Sequence, residues 1–218
     1  MFFRDRSDAG IKLASVLKKY NSKNTIVLGI PRGGIVVAAE VAKLLEAPLD
    51  LIIPRKIGAP HNLEVAIGAV APDGTIITDE FILKALDLSR EQVENLAASV
   101  SQEIRRRESL YRKGKSVPDL RGKSVIVIDD GIATGFTIQA AIKSIRKAEP
   151  FRLILAVPVM PSDTFDVLKD MVDNLICMHK PEYFLAVGQF YSDFDQTTDT
   201  EVVRLLEENN NKFKTGSS

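Results

Sequence analysis

Short apolar runs rich in β-branched residues alternate along the chain with longer stretches whose apolar positions recur every three or four residues. The first pattern is that of a buried strand, the second that of an amphipathic helix. Residues 7–20 place Ile11, Ala14, Val16, Leu17 and Tyr20 mostly on one helical face, and residues 21–24 form a polar turn. Strand-like runs follow at 25–30, 49–53, 125–128, 151–157 and 175–178, with helical stretches at 35–45, 138–146 and 162–172. Residues 64–71 and 75–78 flank Pro72-Asp73-Gly74 and predict a hairpin. The repeated alternation predicts an α/β fold: a doubly wound, mainly parallel sheet with helices on both faces, in a single domain over residues 1–218.

Three stretches depart from that alternation. Residues 79–113 form a long helical insert, in which Ser89 and Gln92 make a capping-box pattern. Val93, Leu96, Ala97, Val100, Ile104 and Tyr111 then mark an apolar stripe. A helix of about 25 residues at about 1.5 Å each spans about 37 Å, enough to lie along the core or meet a partner subunit. Arg105, Arg106 and Arg107 interrupt the stripe. Such a run is usually a solvated face, and reach to a phosphate is the alternative. Residues 180–208 make a small hood segment, aromatic at Tyr183, Phe184, Phe190, Tyr191 and Phe194 and ending in a short helix at 200–208. Residues 209–218 are expected to be a flexible tail.

Composition narrows the class. Lysine plus arginine and aspartate plus glutamate balance at 29 each, so bulk charge gives no footprint for nucleic acid or a membrane surface. Cys177 is the single cysteine and sits in an apolar run, which excludes a disulfide framework and reads as a buried thiol. With only His61 and His179 beside it, no zinc cluster is expected, and His61 reads as a surface-loop residue. Residues 1–6 lack a signal-type apolar core and no run is long enough to span a bilayer, so a cytoplasmic location is expected. Gly114-Lys-Ser and Gly122-Lys-Ser suggest a nucleotide loop. The glycine required five residues earlier is Ser109 or Val117, which excludes it.

The richest chemistry lies in Ser124-Val-Ile-Val-Ile-Asp-Asp-Gly-Ile-Ala-Thr-Gly-Phe-Thr-Ile138. An apolar strand ends in Asp129 and Asp130, and Gly131, Thr134, Gly135 and Thr137 lead into a helix. Unpaired N–H groups and the positive helix end make such a turn an anion cradle. Two carboxylates beside a phosphate repel it unless a divalent metal or sugar hydroxyls intervene, and a ribose 5-phosphate group meets both demands. A second strand–turn–helix unit carries Arg32, Gly33 and Gly34, where the glycines let backbone amides approach a ligand closely. Arg55 and Lys56, followed by Ile57-Gly-Ala-Pro-His-Asn62, read as a mobile, positively charged flap.

Ile128-Asp-Asp-Gly-Ile-Ala-Thr-Gly-Phe-Thr137 resembles the diphosphoribose-binding motif of the type I phosphoribosyltransferases. The resemblance implies transfer of the 5-phosphoribosyl group from phosphoribosyl diphosphate (PRPP) to a nitrogenous base or similar acceptor, with release of diphosphate. Nucleotide metabolism is the implied setting, and a homodimer is expected. Under this resemblance Asp129 and Asp130 take the ribose hydroxyls, and Ala133, Thr134, Gly135, Phe136 and Thr137 take the 5-phosphate. Arg32, Gly33 and Gly34 meet the diphosphate, and Arg55 and Lys56 join the two aspartates as catalytic groups. Mg²⁺ is expected through PRPP, with Asp129 or Asp130 reaching it by way of water. Phe190 and Tyr191 are the candidates to stack on an acceptor ring, with packing of a small lobe as the competing role. Relatives acting on 6-oxopurines carry an acid where this chain has Ala133, which argues against hypoxanthine or guanine and leaves the acceptor open. A non-catalytic PRPP-binding regulator and a PRPP or ribose-phosphate hydrolase are the alternative readings.

Overall fold

The strands are β1 (Thr25–Gly29), β2 (Leu49–Leu51), β3 (Arg55–Ala59), β4 (Asn62–Val70), β5 (Ile76–Thr78), β6 (Ser124–Ile128), β7 (Arg152–Val159) and β8 (Asn174–His179). The helices are α1 (Arg6–Leu17), α2 (Gly33–Leu44), α3 (Glu80–Ala85), α4 (Arg90–Arg112), α5 (Phe136–Lys147), α6 (Ser162–Leu168) and α7 (Asp199–Thr215). The structure, a computed structural model, describes residues 2–215.

Five strands pair in parallel in the order β2-β1-β6-β7-β8. Because side chains alternate along a strand, successive residues serve opposite faces. Val27, Ile126, Ile128 and Ile154 pack with Leu13 of α1, Ile35 of α2 and Val202 of α7. Their neighbours Ile26, Val125, Val127 and Leu155 pack with Ile138 and Ile142 of α5 and Leu168 of α6. Full burial of one such side chain contributes about 1.5–3 kcal/mol, and both faces of the sheet are covered. This is the doubly wound arrangement expected from the alternation.

β1 lies between β2 and β6, and Gly29 is in register with Ile128. The chain after β1 turns to one side of the sheet and the chain after β6 to the other. Their loops therefore leave side by side at the carboxyl end, where a crevice opens in folds of this kind.

The remaining strands form an antiparallel sheet, β3-β4-β5, which packs on α4 and α5. The expected hairpin corresponds to β4 and β5. The expected flap over 55–62 does not appear as a loop. Ile57 and Ala59 are buried while Lys56 is exposed, so period-two burial makes this stretch a strand, with Pro60 and His61 as the turn.

Two helices differ from expectation in detail. The buried face of α1 is Ala9, Gly10, Leu13, Ala14 and Leu17, while Ile11 and Val16 are exposed. A Cβ on Gly10 would lie 2.8 Å from Glu40 Cβ, so small residues set the close approach of α1 to α2. At the other end, α7 continues through Asn209 to Thr215, where a tail from 209 was expected. Asn209 is buried and its Oδ1 accepts the N–H of Leu49 at 3.0 Å, satisfying the edge of β2. Residues 216–218 of the expected tail lie outside the described residues.

The insert forms α3 and the 23-residue α4. Ser89 Oγ accepts from Gln92 N at 3.2 Å and Gln92 Oε1 from Ser89 N at 2.8 Å, closing the capping box. Val93, Ala97, Ile104 and Tyr111 face the core, so α4 lies along the domain.

Candidate functional site

The two loops at the end of β1 and β6 touch. α2 begins at Gly33 and Gly34, directly after Pro31 and Arg32, and the Pro31–Arg32 peptide bond is cis. A Cβ on Gly33 would collide with Asp130 Oδ2 and lie 2.5 Å from Arg6 Nε, while one on Gly34 would lie 2.8 Å from Asp129 Oδ1. The glycines are needed here because the acids of the neighbouring loop occupy the space a side chain would fill.

In the β6 loop, Asp130 donates its N–H to Asp129 Oδ1 at 2.8 Å. Dehydration, and then the charge of Asp130, push the Asp129 carboxyl well above its ordinary value. Asp130 is held differently. Arg6 Nε donates to Asp130 Oδ2 at 2.7 Å, and the Tyr191 hydroxyl donates to the Asp130 carbonyl at 2.6 Å. Arg6 is fixed in turn: its guanidinium lies 3.8 Å from the centre of the Phe194 ring, and Nη1 donates to the Asp195 carbonyl at 2.7 Å. Nothing near Arg6 in the sequence marks it as a site residue, since it stands 124 positions from its partner.

Beyond the acids the loop is open. Ala133 and Thr134 are exposed and Ile132 is buried, its N–H donating to the Val159 carbonyl at 3.0 Å. Gly135 has φ of 78°, a left-handed conformation, and α5 starts there without a side-chain cap. Its first-turn amides thus point toward the mouth of the loop. Thr164 Oγ1 donates to the Ala133 carbonyl at 2.7 Å and braces the turn from α6. Ala133, Thr134 and Phe136 form one wall of a cleft of about 760 Å³ whose other walls include Glu80, Asp163 and Phe184.

The remaining candidates are distributed unevenly. Arg32 Nη1 lies 3.8 Å from Asp199 Oδ1 at the start of α7. Arg55 turns to α4, with Nη1 3.4 Å from Glu103 Oε1, while the exposed Lys56 projects from the other face of β3. Phe190 and Tyr191 do not offer an open ring for stacking. Phe190 is 5% exposed and Tyr191 7%, in a cluster with Phe3 and Phe184. Phe3 pairs with Tyr191 and donates its N–H to the Phe190 carbonyl at 2.8 Å, so the chain start clips this lobe to the sheet. Burial and the charge of Asp130 also push the Tyr191 hydroxyl upward, which keeps it a donor. Among the described residues no helix is long and apolar enough to cross a membrane.

Residues 7–195 match the family model described as phosphoribosyl transferase domain. The chain is 38% identical over 211 residues to "Putative phosphoribosyl transferase Rv0571c" of Mycobacterium tuberculosis, covering 97% of this chain. That match takes in 48% of the relative, so the chain spans about half the length of the curated relatives it matches. The crystal structure of TT1426 from Thermus thermophilus superposes with a TM-score of 0.81 at 37% identity, covering 95% of this chain and 99% of that one. A purine phosphoribosyltransferase from Pyrococcus horikoshii shares the fold at a TM-score of 0.51 and 17% identity, over 90% of this chain and 96% of that one.

Proposed function

Since this chain belongs to the phosphoribosyl transferase family, we propose that it moves a 5-phosphoribosyl group from PRPP to a nitrogen acceptor and releases diphosphate. The observation that carries this reading is the contact between the two loops: Gly33 and Gly34 lie against the side chains of Asp130 and Asp129. A pentose edge can then rest on the acids, with one anion in the α5 cradle and a second at the α2 start.

In this reading the amides of residues 133–137 hold the 5-phosphate, and Asp129 and Asp130 accept hydrogen bonds from the ribose hydroxyls. Arg6 fixes Asp130 through one oxygen, and a carboxylate retains further acceptor capacity. Attack by the acceptor nitrogen on the anomeric carbon breaks the bond to diphosphate. Positive charge grows on the ring and negative charge on the leaving group, as in other glycosyl transfers. The aspartates stabilise the first, and Arg32 with Arg55 the second.

Magnesium fits this donor set. Asp129 is dehydrated and repelled by Asp130, so a nearby hard cation would relieve both effects. Asp129 would hold the ion through water, and the bound ion would supply positive charge beside the diphosphate. Ala133 provides no carboxylate for deprotonating an acceptor, which favours acceptors that attack without a base at that position.

Incubation with PRPP, Mg²⁺ and a panel of nitrogenous bases, following diphosphate release, tests the proposal. Base-dependent release is the expected result. Base-independent release identifies a hydrolase, binding without turnover a sensor, and absence of PRPP binding overturns the assignment of the site.

A further inference from the structure

On α4, Arg106 and Arg107 gather on Glu103, and Arg55 of β3 joins them. Arg106 grips Glu103 with two bonds, Nε to Oε2 at 2.7 Å and Nη2 to Oε1 at 2.9 Å. Arg107 Nε donates to Oε1 at 2.8 Å, and Arg55 Nη1, from β3, reaches the same oxygen at 3.4 Å. Three guanidinium groups therefore share one carboxylate. Alongside them Arg32 faces Asp199, whose Oδ1 also accepts the Tyr111 hydroxyl at 2.6 Å.

The two groups belong to one electrostatic field. Burial and Asp199 push the Tyr111 phenol up to about 12, with Arg107 and Arg32 both acting against that rise. Burial and then Arg107 hold the Arg55 guanidinium below its ordinary value. Among the described residues, Arg32, Arg55, Arg106 and Arg107 thus pair with Glu103 and Asp199, an excess of positive charge in a chain whose formal net charge is zero.

Neighbouring turns of a helix account for Glu103 meeting Arg106 and Arg107. They do not account for Arg55, 48 positions away, turning to an oxygen that already accepts two bonds. Arg55 and Arg107 are partly buried, and with the exposed Arg106 they share one carboxylate, an incompletely neutralised set that suits a compact anion bearing several charges. Arg32 stands at the start of α2, beside the proposed diphosphate position, and Asp199 ties it to Tyr111, one helical turn beyond Arg107 on α4.

We infer that Arg107, aided by Arg106, extends the diphosphate subsite from the β1 loop onto α4, and that Glu103 is the resident counter-ion the diphosphate displaces. This rests on the reading of the β1 loop given above. For Arg107 this takes the phosphate-reaching alternative over the solvated face, which the exposed Arg105 keeps.

Calorimetric titration of the full chain with magnesium pyrophosphate, and separately with ribose 5-phosphate, tests it. Arg107→Gln should weaken pyrophosphate binding about tenfold, as expected for loss of one charge-assisted contact, and leave ribose 5-phosphate binding unchanged. Arg107→Lys should recover part of the loss, and Glu103→Gln should tighten pyrophosphate. Unchanged pyrophosphate affinity in Arg107→Gln, or equal loss for both ligands, overturns the inference while leaving the transferase reading intact. Failure of the wild-type chain to bind either ligand overturns both.

Discussion

The loop after β6 and the loop after β1 have the same plan, a parallel strand running through a glycine turn into a helix, yet they are completed in different ways. The β6 loop carries acids, turn glycine and helix start within residues 129–137. The β1 loop has only Arg32 and its glycines; Arg32 meets Asp199 of α7, and in our proposal further charge comes from β3 and α4. A site whose donors are local is stated by its own sequence. One assembled from distant elements becomes visible only when the fold brings them together.

The largest effect should follow from forcing the loops apart. Gly33→Ala sets a methyl group against Asp130 and Arg6. Turnover should fall by about a hundredfold or more, the scale expected for misplacing reacting groups by about 1 Å. Thermal unfolding should show a loss of about 1–3 kcal/mol from overpacking. Near-normal kinetics in this variant would separate the two loops functionally.

The adjacent aspartates should respond to amide substitution with opposite signs. Asp130→Asn leaves Arg6 without its carboxylate partner, a pair only 12% and 15% exposed, and should destabilise by about 2–3 kcal/mol. Asp129→Asn removes a carboxyl whose folded pKa is raised. Such a group lowers stability as pH climbs through its unfolded value of 3.8 toward the higher folded one. The variant should therefore melt above wild type at neutral pH, with the difference vanishing below about pH 3.8. Donor binding should weaken in both variants. A shared sign in the melting curves would refute the distinction drawn between them.

Smaller effects are expected farther out. Tyr191→Phe removes one hydrogen bond to the Asp130 carbonyl and should lower stability by about 1 kcal/mol, without changing the acceptor KM. A large rise in that KM would restore Tyr191 as an acceptor contact. Arg106 and then Arg107 hold the Glu103 carboxyl at about 2, so its contribution is complete above pH 4.5 and is lost between 4.5 and about 2. Its partial exposure makes the effect on unfolding small and salt-sensitive.

The parallel sheet is legible in the sequence because both of its faces are buried, which leaves unbroken runs such as Val125–Ile128. Asp129, Asp130 and the α5 cradle are legible because they are contiguous. Arg6 is not, since the packing of the chain start against Phe194 and Tyr191 has no periodicity to read. Residues 55–62 read as a loop because two cations, glycine and proline suggest one, while burial of Ile57 and Ala59 against the domain decides for a strand. Asn209 reads as the start of a tail because polar composition conceals a side chain that accepts the Leu49 N–H at the β2 edge.

Amide chemical shifts of the full chain, recorded during titration with ribose 5-phosphate, test the central claim most directly. The account predicts the largest changes at Ala133 through Thr137, smaller ones at Asp129 and Asp130, and saturation with a single dissociation constant. Saturable shifts confined to other parts of the chain, with residues 129–137 silent, would contradict it.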